Sequence, residues 1–409
     1  MSYQPTGVKK IYHSIKRRLA RTWLDQMHPV QLAITGSQGK TNTTGLVTQV
    51  LEQFGPTVRT DVNLDTTFNV PITALKVTPW TKYVVWELGI DHPGEMDRHH
   101  EIASPTIASV TGISAVHTDE EHMGSLETLI KEKRKIIEHL PKDGIAVLNH
   151  DNEYTKGMEK YTQASVQWFG MTSDCTMWTD PKSIKLTPDG TSAVCYLNDM
   201  NTSRAIEMKT GLIGAFHFYN IMNAYLMVRA AVPEHDITDA FVKTVKNMKP
   251  LPGRMSIEEG PLGTVLLNDS LRASPGSTQA GLESMELMQY KKGRKIAVIG
   301  EMGELAEPEK EHRKTGKQIA AMHFDFVLCI GPLRKHTMEE AIKRGFPKDK
   351  IAYAKDVFEA ADILKKTLKK NDLWYLKGSL LRNYNRILKL LRGEKVCCNA
   401  VLCPYEHCS

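Results

Sequence analysis

No run of this sequence approaches the roughly 18 apolar residues that a membrane span needs, and its first residues hold no apolar core of the signal-peptide kind. The expected location is therefore the cytoplasm. Cysteine is sparse: of 7 in 409 residues, four (Cys397, Cys398, Cys403 and Cys408) crowd into the tail beside His407. So few cysteines exclude a disulfide-built scaffold. The adjacent tail cysteines and their five-residue gap match zinc spacings poorly, so a packed or mobile tail stands against a metal site there. Charge of one sign is also scarce, since a net charge of +6 is mild for this length; it points to anionic small molecules rather than nucleic acid. Internal repeats and low-complexity segments are absent. With 41% hydrophobic and 24% charged residues, the composition is that of a globular protein with two or three cores, and disorder is excluded.

What the sequence does contain starts with Thr35-Gly36-Ser37-Gln38-Gly39-Lys40-Thr41. Val30-Gln31-Leu32-Ala33-Ile34 supplies a short apolar strand before it, and a helix is expected after it. Two glycines let the backbone turn and aim N–H groups at phosphate oxygens, and the helix start favours anions. Lys40 is placed to reach terminal phosphates and Thr41 to bind Mg²⁺. Ile34 stands where the first glycine of G-x-x-x-x-G-K-[ST] would be, so the motif is incomplete. A plain glycine-rich turn with an exposed lysine is the competing reading.

Residues 8 to 27 carry Val8, Ile11, Tyr12, Ile15, Leu19, Trp23 and Met27 at helical spacing, with Lys9, Lys10, Lys16, Arg17, Arg18 and Arg21 on the remaining surface. Such a basic amphipathic helix packs on an α/β domain or lies on an anionic membrane. From Val30 to about Ala231, strands such as 83–88, 106–111 and 145–149 alternate with helical stretches, followed by a strand-rich patch over 166–208. Pro250-Leu251-Pro252-Gly253-Arg254 is a Pro/Gly boundary, after which strands at 263–267, 295–299, 326–330 and 373–376 repeat the alternation. The fold class expected is α/β, with a mostly parallel sheet in a central domain and a Rossmann-like C-terminal domain. The predicted divisions are an N-terminal helix over 1–29, the central domain over 30–250, the C-terminal domain over 251–393 and the tail over 394–409.

Glu87 ends an apolar strand, where a carboxylate points into the crevice at the carboxyl edge of an open sheet. With Thr41 it would supply hard oxygen ligands for Mg²⁺; a solvated strand-end carboxylate is the alternative. His117 lies in His117-Thr118-Asp119-Glu120-Glu121-His122, a cluster of potential ligands or acid–base groups. A helix beginning near Ser125 carries Lys131, Lys133, Arg134 and Lys135, and the residues alone do not choose among these cations.

These segments together resemble the Mur ligase family, most closely its MurF branch, which joins D-alanyl-D-alanine to a UDP-muramoyl-tripeptide. The loop at 35–41 resembles T-G-x-x-G-K-T, and Asn63-Leu64 through Val70-Pro71 resembles N-L-N-N-x-I-G-V-P. Glu87-Leu88-Gly89 with Pro93-Gly94-Glu95 is similar to E-L-G-x-x-x-P-G-E. Thr111-Gly112-Ile113 through His117, then Gly124-Ser125-Leu126-Glu127 and Lys133, resembles T-N-I-G-x-A-H, G-S-x-E and a lysine, closed by Asn149-His150-Asp151. Asn220, Pro252-Gly253-Arg254, Asp269-Ser270-Leu271-Arg272-Ala273-Ser274-Pro275, the segment 300–305 with His312, and Lys377-Gly378-Ser379 continue the match in order to about residue 390.

The resemblance implies an ATP-dependent ligase that forms a peptide or other amide bond through an acyl phosphate, with ATP and two Mg²⁺ ions. By it, Thr35 to Asn42, Asn149, Asn220, Arg254 and Asp269 would hold the nucleotide. Lys40, Glu87, His117 and Lys133 would be the catalytic set, and Thr41, Glu87, His117 and Lys133 would serve the metals, with Lys133 carbamylated. Arg272, Ser274 and Lys377 would face the substrates, a carboxylate acceptor and an incoming amine or amino acid. Nucleic acid is not an expected partner, and membrane contact would run through the N-terminal helix. The loop begins at Thr35, so the UDP-recognition domain that precedes it in the family is expected to be missing. Arg272 and Ser274 replace asparagines of the MurF pattern: an arginine fork suits a more acidic ligand, or simply pairs with a neighbouring acid. Two other functions stay open, a ligase of the same chemistry acting on a polyglutamyl, tetrapyrrole or other cofactor acid, and a non-catalytic nucleotide-binding partner of a ligase complex.

Overall fold

The computed structural model describes residues 8–61, 66–114, 122–199, 202–303, 305 and 307–403. The chain divides into two compact units: residues 1–183, 193–208 and 217–247 form the first, and 184–192, 209–216 and 248–409 the second.

The first sheet contains β1 (Val30–Thr35), β2 (Thr57–Arg59), β3 (Tyr83–Glu87), β4 (Ile107–Val110), β5 (Ile145–Asn149), β6 (Ser165–Gly170), β7 (Met177–Thr179), β8 (Lys185–Thr187), β9 (Gly190–Asp199) and β10 (Thr202–Thr210). Their order is β10-β9-β7-β6-β5-β4-β1-β3-β2, with β8 paired to β9. All pairs from β2 through β7 are parallel. The sheet's turning point lies at β1, which has β3 on one side and β4 on the other. Loops leaving neighbouring strands part to opposite faces at such a point and open a crevice at the carboxyl edge. The helices of this unit are α1 (Val8–Met27), α2 (Lys40–Leu51), α3 (Thr66–Ala74), α4 (Glu95–His100), α5 (Leu126–Glu138), α6 (Glu153–Lys156), α7 (His217–Ala231) and α8 (Thr238–Asn247).

Near-continuous apolar strands in a parallel sheet imply burial on both faces. Ala33, Val84, Trp86, Ala108, Val110, Ala146 and Leu148 share one core with Ile136 and Ile137 of α5, while Leu32, Ile34, Val85 and Val147 are buried at alternate positions. Small Ala33 stands opposite Trp86 in the register, which leaves room for the indole. Its N–H donates to Gln31 Oε1 at 3.0 Å, and that oxygen also accepts from the Ser104 amide at 3.0 Å.

The basic helix α1 forms as its spacing predicts, but it buries a different stripe. Ala20 and Leu24 enter the core, with Trp23 and Met27 packed against it, whereas Ile15 and Leu19 are 53% and 61% exposed. Trp23 sets this rotation by donating its indole N–H to the Val77 carbonyl at 2.7 Å. Among the described residues no helix is long and apolar enough to cross a membrane.

In the second unit, β11 (Ser256–Glu259), β12 (Val265–Asp269), β13 (Lys295–Gly300), β14 (Phe326–Ile330), β15 (Ile351–Ala354) and β16 (Leu373–Lys377) are ordered β11-β12-β16-β13-β14-β15. Only the edge strand β11 is antiparallel to its neighbour. Its helices are α9 (Pro275–Leu287), α10 (Pro308–Ala320), α11 (Arg334–Lys343), α12 (Val357–Thr367) and α13 (Asn385–Leu391). Strand periodicity sorts the side chains: Leu267, Ala297, Ile299, Val327, Cys329 and Tyr375 line one core, and Leu266, Val298, Leu328, Ile330, Trp374 and Leu376 the other.

Two divisions differ from the sequence expectation. Segments 184–192 and 209–216 group with the second unit, because Leu186 and Ile213 are buried with Leu267, Leu282 and Met285. The tail is also not separate through residue 403, since the Arg386 guanidinium donates to the Cys398 and Ala400 carbonyls at 2.7 and 2.6 Å. Cys408 and His407 lie outside the described residues.

Replacing Trp86 by alanine removes a fully buried ring and leaves Gln31 with one partner fewer, so Trp86→Ala is expected to cost about 3–5 kcal/mol. Urea unfolding followed by circular dichroism measures it, and a loss below about 1 kcal/mol would contradict this account of the core.

Candidate active site

The register of β1 decides what meets at the carboxyl edge. Ile34 stands beside Glu87 and Thr35 beside Val110, so the segments after the three strands converge. Thr111 donates its amide to the Thr35 carbonyl at 2.9 Å, and Ser37 donates its amide to the Gly112 carbonyl at 2.8 Å. The Ser37 hydroxyl donates to Ser114 O at 3.1 Å and accepts from the Ser114 amide at 3.0 Å. Thr35 turns its hydroxyl inward to the Leu88 carbonyl at 2.7 Å. The Thr35 side chain thus pins the base of the loop.

Two glycines are required by what surrounds them. A Cβ on Gly36 would lie 1.9 Å from Thr111 Oγ1, and one on Gly39 would lie 2.4 Å from Asn220 Oδ1 at a φ of +84°. Asn220, on α7, therefore flanks the loop. The Gln38 carbonyl accepts from the Thr111 hydroxyl at 2.5 Å. Gly39 ends the loop with no side-chain cap on α2, so the first amides of this twelve-residue helix are left for an anion.

Lys40, the first residue of α2, folds back to donate to the Gly36 carbonyl at 2.9 Å. Lys133 reaches the same oxygen from α5 at 3.1 Å. Burial lowers the Lys40 ammonium pKa, against the pull of Glu87 and Asp91. The Lys133 ammonium is lowered to about 7, by burial first and by the Lys40 charge second. Two amine side chains converging on one carbonyl give this pocket a cationic donor set, the character an oligophosphate requires.

The choice among the α5 cations follows from the helix. Ser125 caps it by accepting from the Thr128 amide at 3.1 Å, and Leu129, Lys133, Ile136 and Ile137 form its buried face. Lys131 pairs with Glu127, Arg134 with Glu138, and Lys135 with Asp97 and Glu132. The 129-133-136-137 spacing was the available signal for Lys133. Glu132, absent from the expected set, is also buried and accepts from the amides of Gly94 and Met96 at 2.9 and 3.0 Å, thereby fixing the turn after β3.

At the loop's mouth the Thr41 hydroxyl donates to Glu87 Oε1 at 2.9 Å, and the Glu87 amide donates to Thr60 Oγ1 at 2.8 Å. Two hard oxygen donors this close fit a Mg²⁺ ion. Asn42, next on α2, is exposed. Asn149 is buried and engaged, donating to Thr111 O at 2.9 Å and accepting from the Asp151 amide at 3.0 Å. His117 and Asn63-Leu64 lie outside the described residues.

The second unit holds the other predicted residues. Asp269 and Lys377 face each other in the parallel register; the ammonium donates to Asp269 Oδ2 at 2.7 Å, and Tyr375 donates to the same oxygen at 3.0 Å. Burial pushes the carboxyl up and the ammonium down, each against the attraction of the other. Lys377, expected to face substrate, is instead 1% exposed and spent on Asp269. Ser274 also does structural work, capping α9 in a reciprocal box with Ser277. Arg254 and Arg272 are exposed.

Residues 34–228 match the Mur ligase middle domain, and residues 253–380 match the Mur ligase, glutamate ligase domain. The chain belongs to the Mur ligase family. It is 30% identical over 316 residues to the UDP-N-acetylmuramoyl-tripeptide–D-alanyl-D-alanine ligase of Escherichia coli, covering 76% of this chain and 66% of that protein's length. Among solved structures, MurF from Acinetobacter baumannii superposes with a TM-score of 0.76 at 20% identity, covering 93% of this chain and 81% of that one. MurF from Thermotoga maritima in complex with ADP gives 0.73 at 22%, covering 93% and 84%. These likenesses give the Mur ligase fold to both units.

Lys133 makes stability depend on pH in a definite direction. Its ordinary pKa is 10.5 and its folded value is about 7, so between the two the unfolded chain holds a proton that the folded chain has released. Stability from this group rises with pH across that window, and below it the folded state bears the whole cost. Lys133→Met is expected to exceed the parent in stability at pH 7, with the advantage shrinking by about 1.4 kcal/mol per pH unit as pH rises. Denaturant unfolding of the EDTA-treated proteins checks it; parallel pH curves would refute the shift.

Proposed function

We propose that this Mur ligase joins a carboxylate to an amine at the expense of ATP, in the manner of the MurF branch. The convergence of the Lys40 and Lys133 ammonium groups on Gly36 O, inside a glycine loop that opens α2, carries this reading. Loop amides and Lys40 hold the terminal phosphates, and Asn149 and Asn220 border the nucleotide. Thr41 and Glu87 hold Mg²⁺, which when bound neutralises charge on the transferring oxygens.

The γ-phosphoryl group passes to a carboxylate oxygen of the acceptor and ADP departs. The incoming amine then attacks the acyl carbon, the C–N bond forms, the C–O bond to phosphate breaks, and the amine's proton is released. Little covalent work falls to the protein, so positioning and fixed positive charge supply most of the acceleration. Lys133, with an ammonium pKa near 7, is neutral often enough to add CO₂; the carbamate that forms, with loss of a proton, turns a cation into an oxygen ligand. His117 completes the metal set by family likeness. In the second unit, Arg254 and Asp269 serve the nucleotide, with Lys377 holding Asp269 in place. Exposed Arg272 adds a planar cation suited to an acidic ligand, which widens the acceptors to be tried beyond UDP-muramoyl peptides.

The test is phosphate release from ATP and Mg²⁺ across carboxylate acceptors paired with amino acids or D-alanyl-D-alanine, with product masses read directly. Product from UDP-muramoyl-tripeptide and D-alanyl-D-alanine supports the wall-precursor reading, and turnover with another acid alone keeps the chemistry while changing the substrate. Lys40→Ala is expected to lower turnover by about 10²–10³-fold, the loss typical of removing one group that stabilises transition-state charge. No acceptor-dependent phosphate release with any pair would overturn the ligase assignment.

A further inference from the structure

Strands β5 and β6 run parallel with Asn149 beside Phe169, so the residues that follow each strand meet at the same edge. His150 follows β5 and donates its amide to the Phe169 carbonyl at 2.9 Å. The turn from β6 to β7 brings Thr172, Asp174 and Cys175 against its imidazole. His150 Nε2 lies 3.3 Å from Asp174 Oδ2, and one ligand atom from each of His150, Asp174 and Cys175 lies within 4.8 Å of the others.

A His–Asp contact alone would be an ordinary surface ion pair. The third atom is what distinguishes this cluster: Cys175 is 1% exposed, yet its sulfur points to the pair rather than into the apolar core. The turn is built to hold it there. Cys175 donates its amide to Thr172 O at 3.2 Å, while the Thr172 hydroxyl donates to Asp174 Oδ1 and sits 3.7 Å from the sulfur. The edge of the Trp168 ring meets the imidazole, with centroids 5.6 Å apart at 80°. Gly170 is the floor: a Cβ there would lie 3.0 Å from Cys175 Sγ and 3.1 Å from both Asp151 oxygens. Asp151 borders the cluster: its Oδ2 accepts from the Met171 amide at 2.7 Å and the Tyr219 hydroxyl at 2.9 Å, and its Oδ1 lies 3.8 Å from His150 Nδ1.

We propose that His150, Asp174 and Cys175 form a binding site for a divalent transition-metal ion, zinc by its ligand chemistry. One nitrogen, one carboxylate oxygen and one sulfur suit a borderline ion and not Mg²⁺, which prefers oxygen alone. Three protein ligands leave a fourth position for water. On binding, the Cys175 thiol gives its proton to solvent and ligates as thiolate. The bound ion would brace the turn beside Asn149, and the site stands independently of the proposed ligase activity.

The experiment titrates the EDTA-stripped whole protein with Zn²⁺ against a chromophoric chelator, and with Co²⁺, whose thiolate charge-transfer band reports sulfur ligation. The parent is expected to take one tight Zn²⁺ that Asp174→Asn and Cys175→Ser each weaken about tenfold or more, and the Co²⁺ band is expected to vanish in Cys175→Ser. Asp174 is exposed, so Asp174→Asn keeps the fold, with circular dichroism as the check. Failure of the parent to compete with the chelator would overturn the proposal. So would binding that both variants leave unchanged and that Cys397→Ser, Cys398→Ser and Cys408→Ser together abolish.

Discussion

The ammonium groups of Lys40 and Lys133 share the Gly36 carbonyl at 2.9 and 3.1 Å, and much of the first unit exists to hold them there. Like charges in a partly desolvated pocket repel, so neither lysine would settle in this position on its own account. Lys40 is brought by the turn that Gly36 and Gly39 permit, and Lys133 by a helix whose apolar inward residues are Leu129, Ile136 and Ile137. The apolar burial of α5 and the parallel register of β1 thus support an arrangement that is electrostatically unfavourable until an anion arrives. Under the proposed function, such a site would bind phosphate groups with energy the fold has already supplied, the preorganisation on which charge stabilisation in catalysis rests.

The second unit handles charge differently. Asp269 and Lys377 are neutralised by each other at the ends of adjacent strands, and Tyr375 adds a third bond to the same carboxylate oxygen. Breaking such a buried pair leaves an uncompensated charge, so these two residues are best understood together. The same economy appears at Ser274, which serves as a helix cap.

Much of this was legible before any coordinates. The strands at 145–149 and 326–330 were bounded as observed, because their apolar runs end at polar or turn-forming residues. The strand-to-helix turn at 36–39 was legible from its glycines, and the place of Glu87 at a strand end from the apolar run before it. Helix α1 was placed correctly while its buried face was not: its apolar residues spread over more than one stripe, and long-range contacts such as Trp23 with Val77 O and Arg17 with Glu101 chose between them. The unit boundary near residue 250 was visible in its prolines and glycine, whereas the transfer of 184–192 and 209–216 to the second unit was not. That transfer depends on Leu186 and Ile213 finding a core distant in sequence.

Local chemistry, then, was determined by the sequence itself: strand and helix types, the glycines of the loop at 36–39, the helix start near Ser125 and the family motifs all act over a few neighbouring residues. Tertiary structure alone decided that Lys133 meets Lys40 at the Gly36 carbonyl, that Asp269 and Lys377 neutralise each other, and that His150 meets Asp174 and Cys175. Each of these joins residues more than twenty positions apart. Their meeting depends on sheet order and strand register, and those are set by the burial of the whole core rather than by any local preference.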